Sequence, residues 1–302
     1  MTRSRVAVRA SAKVNLSLCV GGVRPDGYHP LETVFQAVDL YDDVVVTPAA
    51  RLEVVLRGEG EGSVGVGPDN LAWRAAAALA ERAGIAPHVR IELDKRIPVA
   101  GGMAGGSADA AGVLVACDAL WELGLPRAEL LEVAATLGSD VPFSVAGGTE
   151  LGRGRGDELT TVLTRGNLHW VFAMSADGLS TPAVYREYDR LRPEAGEPRV
   201  DPSLLAALAA GDSAAVAKGL VNDLQVAALS LQPRLGQVLR AGTEAGSLAG
   251  IVSGSGPTCA FLVRSVDHGL AVSNELQASG LVTRTVRAMG PARGAHVVAV
   301  EG

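Results

Sequence analysis

Pro98-Val99-Ala100-Gly101-Gly102-Met103-Ala104-Gly105-Gly106-Ser107-Ala108-Asp109-Ala110-Ala111 decides how this chain is read. Its four glycines run directly into an apolar helical pattern carrying Val113, Leu114, Cys117, Leu120 and Trp121. Glycines let successive backbone N–H groups converge without Cβ interference, and a helix N-terminus adds positive potential, so the combination suits an anion such as phosphate. The stretch has neither the Gly-Lys-Ser/Thr ending of a Walker A loop nor the glycine spacing of a dinucleotide fold. From glycine content alone, a turn before a closely packed helix explains it equally well.

Outward from this loop, Val6 to Val20 alternates: Val6, Val8, Ala10, Ala12, Val14, Leu16, Leu18 and Val20 share one parity and Lys13, Asn15 and Ser17 the other, predicting a strand with one core face and one polar face. Arg24-Pro25-Asp26-Gly27 is a turn, followed by a second alternating stretch over 31–38. Helical patterns cover 70–83 up to Gly84, 107–123 up to Gly124, and 126–137, which opens on Pro126 and stops at Gly138. Short strands are predicted near 52–56, 89–93 and 149–151. The elements mix without regular β-α alternation, so the class is α+β. The Pro- and charge-rich segment 192–202 reads as an exposed loop.

With 302 residues, 48% hydrophobic and 20% charged, the chain is globular and long enough for about two domains. A net charge of −6 without basic runs argues against a nucleic-acid partner. Cys19, Cys117 and Cys259 are too scattered for a disulfide framework or a zinc pair, which suits a reducing cytoplasm. No apolar run reaches the ~18 residues that span a bilayer, and the N-terminus lacks a signal-peptide core.

Four further places could carry chemistry. Lys13 is one of three lysines among twenty-seven basic residues, and a compact ammonium suits a point-charge contact with a transferring phosphate. Asp140 follows the helix stop at Gly138 in Gly138-Ser139-Asp140-Val141-Pro142-Phe143, where Pro142 is expected to keep Val141 out of a helix; it is either a turn residue or a base beside a substrate hydroxyl. Tyr28-His29-Pro30 sets an aromatic ring and an imidazole in extended backbone, able to bond a planar base edge. Ser253-Gly254-Ser255-Gly256-Pro257-Thr258, between two apolar stretches, reads as a glycine turn shaping a pocket. Five scattered histidines give no metal spacing.

In this order the stretches resemble the GHMP kinases, whose phosphate loop runs Pro-x-x-x-Gly-Leu-Gly-Ser-Ser-Ser-Ala. In Pro98 to Ala108, Met103 stands for the Leu, Ala104 for the following Gly, Gly105 and Gly106 for two serines, and Ser107 keeps the third hydroxyl. Ala12-Lys13-Val14-Asn15-Leu16, Arg24 to His29 and Gly138 to Phe143 are similar to the branch that phosphorylates a cytidylated methylerythritol in non-mevalonate isoprenoid synthesis; Arg24 to His29 is the most discriminating of these stretches.

The resemblance implies a two-domain α+β GHMP kinase fold. Residues 1–160 would be like the second domain of ribosomal protein S5 and carry the phosphate loop, 161–302 would be ferredoxin-like, and residues 147–156 would lie near the join. It implies ATP as co-substrate, bound by Pro98, Gly101, Gly102, Met103, Ala104, Gly105, Gly106, Ser107 and Ala108, with Mg²⁺ travelling on the nucleotide and no protein ligand assigned. Lys13 and Asp140 would be catalytic. Asn15 and His29 would hold polar groups of the acceptor, and Tyr28 and Tyr185 would stack on either side of cytosine. Two alternatives stay open: a GHMP kinase for another small alcohol, and an RNA-binding module, since the S5-like fold also occurs in RNA-binding proteins. The oligomeric state is not set by the sequence.

Overall fold

The structure is a computed structural model that describes residues 3–99, 101–175 and 177–302. Ala100 of the glycine loop lies outside the described residues. The first half runs β1 (Arg5–Val20), β2 (Leu31–Pro48), β3 (Glu53–Gly58), α1 (Leu71–Ala83), β4 (Val89–Lys95), α2 (Gly105–Leu120), α3 (Arg127–Leu137), α4 (Val141–Ala146), β5 (Thr149–Arg153) and β6 (Glu158–Thr161). The second half runs β7 (Leu168–Met174), α5 (Thr181–Leu191), α6 (Pro202–Ala210), α7 (Ser213–Lys218), β8 (Val221–Asn222), α8 (Gln225–Leu231), α9 (Arg234–Glu244), β9 (Ala249–Val252), β10 (Cys259–Val263), α10 (Val266–Ala278), β11 (Arg284–Gly290) and β12 (His296–Glu301).

The first sheet has the order β12-β1-β2-β4-β3, with β5 and β6 continuing from β2 and β8 lying parallel to β1. Val6 and Val8 of β1, with Val44, Val46, Ile91 and Leu93, pack beneath α1, α2 and α3. α2 lies close on the sheet because Gly112 has no side chain: a Cβ there would sit 2.7 Å from Val44 Cγ2. The second sheet has the order β11-β7-β10-β9 with every pair antiparallel. With its four strands numbered in chain order, the sheet runs 4-1-3-2, the ferredoxin-like arrangement that the resemblance implies. One of its faces carries Val171, Phe261 and Val263 towards α8, α9 and α10. The other sets Trp170, Phe172 and Leu262 against Ala10, Ala12, Val14 and Leu16 of β1, so the two halves share a core.

Three elements differ from the sequence expectation. The polar parity of β1 is not solvated: Ser11, Lys13, Asn15 and Ser17 are all buried, Lys13 among Phe35, Asp140 and the β9–β10 turn and Asn15 against Thr33. β2 continues to Pro48 past an irregularity opposite Ser11/Ala12, where Asp39 and Leu40 have no partner on β1 and break the alternation. Val141 enters a helix after all. It opens α4 with Pro142 in the first turn, where a missing N–H costs nothing because those donors have no intrahelical acceptor.

The ends of α1 and α3 match their patterns, whereas α2 stops at Leu120, short of the expected end at Gly124. Asn70 caps α1 by accepting from Ala72 N–H at 2.8 Å, and Gly84 ends it in the left-handed region.

Candidate active site

Lys13 and Asn15 lie on β1 between two shifts of register against β2, one at Ser11/Ala12 and one at Asn15/Ser17. Such irregularities re-aim side chains and recur beside active sites. Lys13 Nζ donates to Asn15 Oδ1 at 2.6 Å, lies 3.9 Å from Asp140 Oδ2 and stands 5.8 Å from the centre of the Phe35 ring. Asn15 in turn donates to Thr33 Oγ1 at 2.9 Å, and Thr33 donates to the Ser17 carbonyl at 2.7 Å. Burial pulls the Lys13 pKa below its ordinary value, and the charge of Asp140 opposes that pull. Asp140 itself is one-third exposed at the start of α4, so its carboxylate faces the opening while the ammonium stays in the wall.

The glycine loop adjoins Lys13 and lines the same cleft. Met103 is fully buried and anchors the loop in the core, and its carbonyl accepts from Lys13 N–H at 3.2 Å, tying loop to strand. Gly102 has φ +67° and passes so near the β9–β10 turn that a Cβ would sit 2.1 Å from the Ser253 carbonyl oxygen. Gly254 in that turn lies against Lys13, where a Cβ would meet Nζ at 3.3 Å. α2 begins at Gly105, two residues earlier than its pattern suggested, because Ala104 takes the left-handed conformation (φ +60°) and turns the chain straight into the helix. The N-terminus of a sixteen-residue helix thereby points into the cleft.

Pro98, Gly101, Gly102, Ala104, Gly105 and Gly106 line one cleft together with Lys13, Asn15, Tyr28, His29, Asp140 and Tyr185. Met103 and Ala108 face the core instead, and Ser107 is half-buried and off the cleft wall. The cleft holds about 1260 Å³. That exceeds the ~300–1,000 Å³ of an ordinary small-molecule site and leaves room for two ligands at once.

In the same cleft the His29 and Tyr185 rings pack with centroids 4.9 Å apart. Burial, then the nearby charge of Asp140, pushes the Tyr185 phenol above its ordinary pKa. Tyr28 follows the turn closed by Gly27 N–H on the Arg24 carbonyl at 2.9 Å. It is 53% exposed, with the Arg155 guanidinium 5.1 Å from its ring centre.

Sequence reading passed over several residues here. Thr33 and Phe35, on β2 opposite β1, carried no motif, and Asp189 is separated from His29 by 160 positions though its Oδ1 lies 2.7 Å from His29 Nε2. Asp109, early in α2, is a further such residue. It is buried behind the loop, with Oδ2 2.5 Å from Lys95 Nζ, and Lys95 also reaches Asp42 at 2.7 Å. Burial pushes the Asp109 carboxyl up while Lys95 pulls it down. Among the described residues no group of three or more His, Cys, Asp or Glu side chains is arranged for a metal. Asp109 Oδ1 is buried without a partner and Asp109 lines the cleft, so the residues fit a cation that takes most of its ligands from a nucleotide and water.

No helix among the described residues is long and apolar enough to cross a membrane.

Fold and site together define a small-molecule kinase of the GHMP class: the model of the GHMP kinases N terminal domain matches residues 70–148 and that of the GHMP kinases C terminal domain residues 204–281. The chain is 58% identical to 4-diphosphocytidyl-2-C-methyl-D-erythritol kinase of Mycolicibacterium smegmatis over 99% of its own length and 94% of that protein. It is 57% identical to the kinase of the same name from Nocardia farcinica, covering 98% and 97%. A crystal structure of 4-(cytidine 5′-diphospho)-2C-methyl-D-erythritol kinase superposes with TM-score 0.78 at 35% identity, over 95% of this chain and all of that one. A homoserine kinase from Cytophaga hutchinsonii, at 17% identity and TM-score 0.77 over 99% and 98%, shares the fold. The chain belongs to the 4-diphosphocytidyl-2-C-methyl-D-erythritol kinase family.

Proposed function

We propose that the chain transfers the γ-phosphoryl group of ATP to the 2-hydroxyl of 4-diphosphocytidyl-2-C-methyl-D-erythritol, giving the 2-phosphate and ADP in non-mevalonate isoprenoid synthesis. The single observation that carries the reading is the placement of Lys13 and Asp140, 3.9 Å apart, in one cleft with the N-terminal end of α2. Phosphoryl transfer needs positioning and charge neutralisation more than covalent help from the protein. Asp140 accepts the proton of the attacking hydroxyl, and its one-third exposure leaves that oxygen within reach of a bound substrate. Lys13 Nζ, fixed by Asn15, orients the hydroxyl and offsets negative charge on the phosphoryl oxygens.

The backbone of Gly101 to Ser107 cradles the triphosphate, with Pro98 and Ala108 fixing the ends of the loop, Met103 anchoring it and Ala104 setting its turn. Asp109 is the carboxylate that would hold a Mg²⁺ ion arriving with ATP, and such an ion would supply charge neutralisation. Asn15, Tyr28, His29 and Tyr185 bind the cytidylated alcohol, the two tyrosines enclosing the base. The division of the chain at 160/161, a cytoplasmic location and the absence of a nucleic-acid partner belong to the same reading; a net charge of −6 supports the last.

Coupled ADP release with the cytidylated alcohol, homoserine and mevalonate in parallel tests it. Turnover confined to the cytidylated alcohol is expected. Comparable turnover of another alcohol would assign the cleft to a different substrate, and salt-sensitive RNA binding without ADP release would favour the binding module.

A further inference from the structure

His29 is held from two directions. Pro30 keeps its segment extended after the Arg24–Gly27 turn, and α5 supplies three side chains around the ring. Tyr185 lies on its face at 4.9 Å between centroids, Tyr188 meets it edge-on at 6.2 Å, and Asp189 Oδ1 lies 2.7 Å from Nε2. Positions 185, 188 and 189 share one helix face by their three- and four-residue spacing. Tyr188 is itself fixed, since its hydroxyl donates to the Val20 carbonyl. The His29 side chain is only 8% exposed, so the ring has little freedom to turn.

An ionised carboxylate can only accept hydrogen bonds. Facing Asp189, Nε2 must therefore carry the proton, and in the uncharged ring Nδ1 keeps a bare lone pair. No hydrogen bond to Nδ1 occurs among the described residues, yet Nδ1 is not one of the buried atoms left without a partner. Nδ1 is therefore not fully enclosed, and it belongs to a residue that lines the cleft.

We propose that Asp189 is a specificity-determining positioning residue. By holding His29 in the Nε2–H form it presents Nδ1 as an acceptor at the base subsite, so the exocyclic amine of cytosine is bound and the carbonyl at the same position of uracil is refused. The inference rests on the cytidine reading of the cleft and adds the residue that sets the polarity of recognition. A site whose polar groups are arranged for one partner rejects the analogue of opposite polarity, because its own acceptor is then left facing another acceptor. Asp189 is 39% exposed, so its replacement leaves no buried charge unpaired.

Cytidine 5′-diphosphate and uridine 5′-diphosphate, used as competing ligands of the intact enzyme, are the probes. The wild type should bind the cytidine compound at least about tenfold more tightly, a difference of roughly 1.4 kcal/mol. Asp189→Asn, whose amide can face Nε2 with either end, should shrink that ratio several-fold through lost cytidine affinity, with the loss of activity carried mainly by KM. Asp189→Glu should restore part of it. Nitrogen-15 spectra of the wild type should show His29 Nδ1 unprotonated, and those of Asp189→Asn a mixture.

An unchanged cytidine-to-uridine ratio in Asp189→Asn, or a wild-type His29 protonated at Nδ1, overturns the inference; the spectrum decides even where the variant folds poorly. A wild type that does not favour the cytidine compound overturns the cytidine reading itself, which separates the two failures.

Discussion

Lys13 and Asp140 stand in unequal environments, and the inequality predicts different consequences for removing each. Asp140 is partly solvated, so Asp140→Asn should fold normally and bind both substrates while turnover falls by about 10²–10⁴-fold, the usual contribution of a positioned base. Steady-state kcat beside calorimetric affinities reads this, and an undiminished kcat would remove Asp140 from the reaction. Lys13 is buried, and its pKa lies below the ordinary 10.5. Between the lowered folded value and the unfolded value the unfolded chain binds more protons, so stability rises with pH across that window and the cost of the buried charge is complete below it. Lys13→Met keeps the volume and discards the charge. Its denaturation midpoint at pH 7 should rise with the slope unchanged, and its advantage should shrink as pH climbs through the folded pKa of Lys13, while phosphoryl transfer is lost. A lower midpoint at pH 7 would show that the bond to Asn15 outweighs the burial of the ammonium.

At the scale of elements, the glycine loop and α2 form a strained unit, and the strain is located at Ala104. A non-glycine residue at φ +60° costs about 1–2 kcal/mol, against roughly 0.4–1 kcal/mol of unfolded-state entropy that glycine would add. Ala104→Gly should therefore raise the melting temperature by about 1–3 °C; a fall would mean that the alanine methyl group packs better than its backbone conformation suggests. The loop, α1 with its Asn70 and Gly84 ends, and the first half of β2 were legible because each is written in local chemistry: a cap, a left-handed glycine, a parity. The second half of β2 was hidden by the irregularity at Asp39 and Leu40. The polar stripe of β1 gave no local sign of its burial because part of what closes on it lies far along the chain: Asp140 stands 3.9 Å from Lys13, and the β9–β10 turn reaches Lys13 at Gly254. Asp189 was illegible for the same reason: a carboxylate on an exposed helix pattern has no local mark of the imidazole it will meet. α4 shows the limit of a proline rule, which holds inside a helix and lapses in its first turn.

At the scale of the whole molecule, the cleft exists only because two sheets share one core. Ala10, Ala12, Val14 and Leu16, the residues flanking Lys13 and Asn15, pack against Trp170, Phe172 and Leu262 of the second sheet, and both β8 and β12 return to pair with β1. Neither half can then lose its packing without exposing the other's apolar face, so the division into two domains describes architecture and not independent stability. Calorimetry should show one endotherm, with van't Hoff and calorimetric enthalpies in agreement. Ligand binding extends the test, because anything bound to the native state alone stabilises the entire cooperative unit, by about 2.7 kcal/mol at one hundred times its dissociation constant. On the proposed binding, ATP at the glycine loop of the first half and the cytidylated alcohol at Tyr185 of the second should each displace the same single peak upward, and together displace it further. Two separated transitions, or a ligand that moves only part of the heat absorption, would show that the shared core does not couple the halves and that the Lys13 wall keeps its shape without the second sheet.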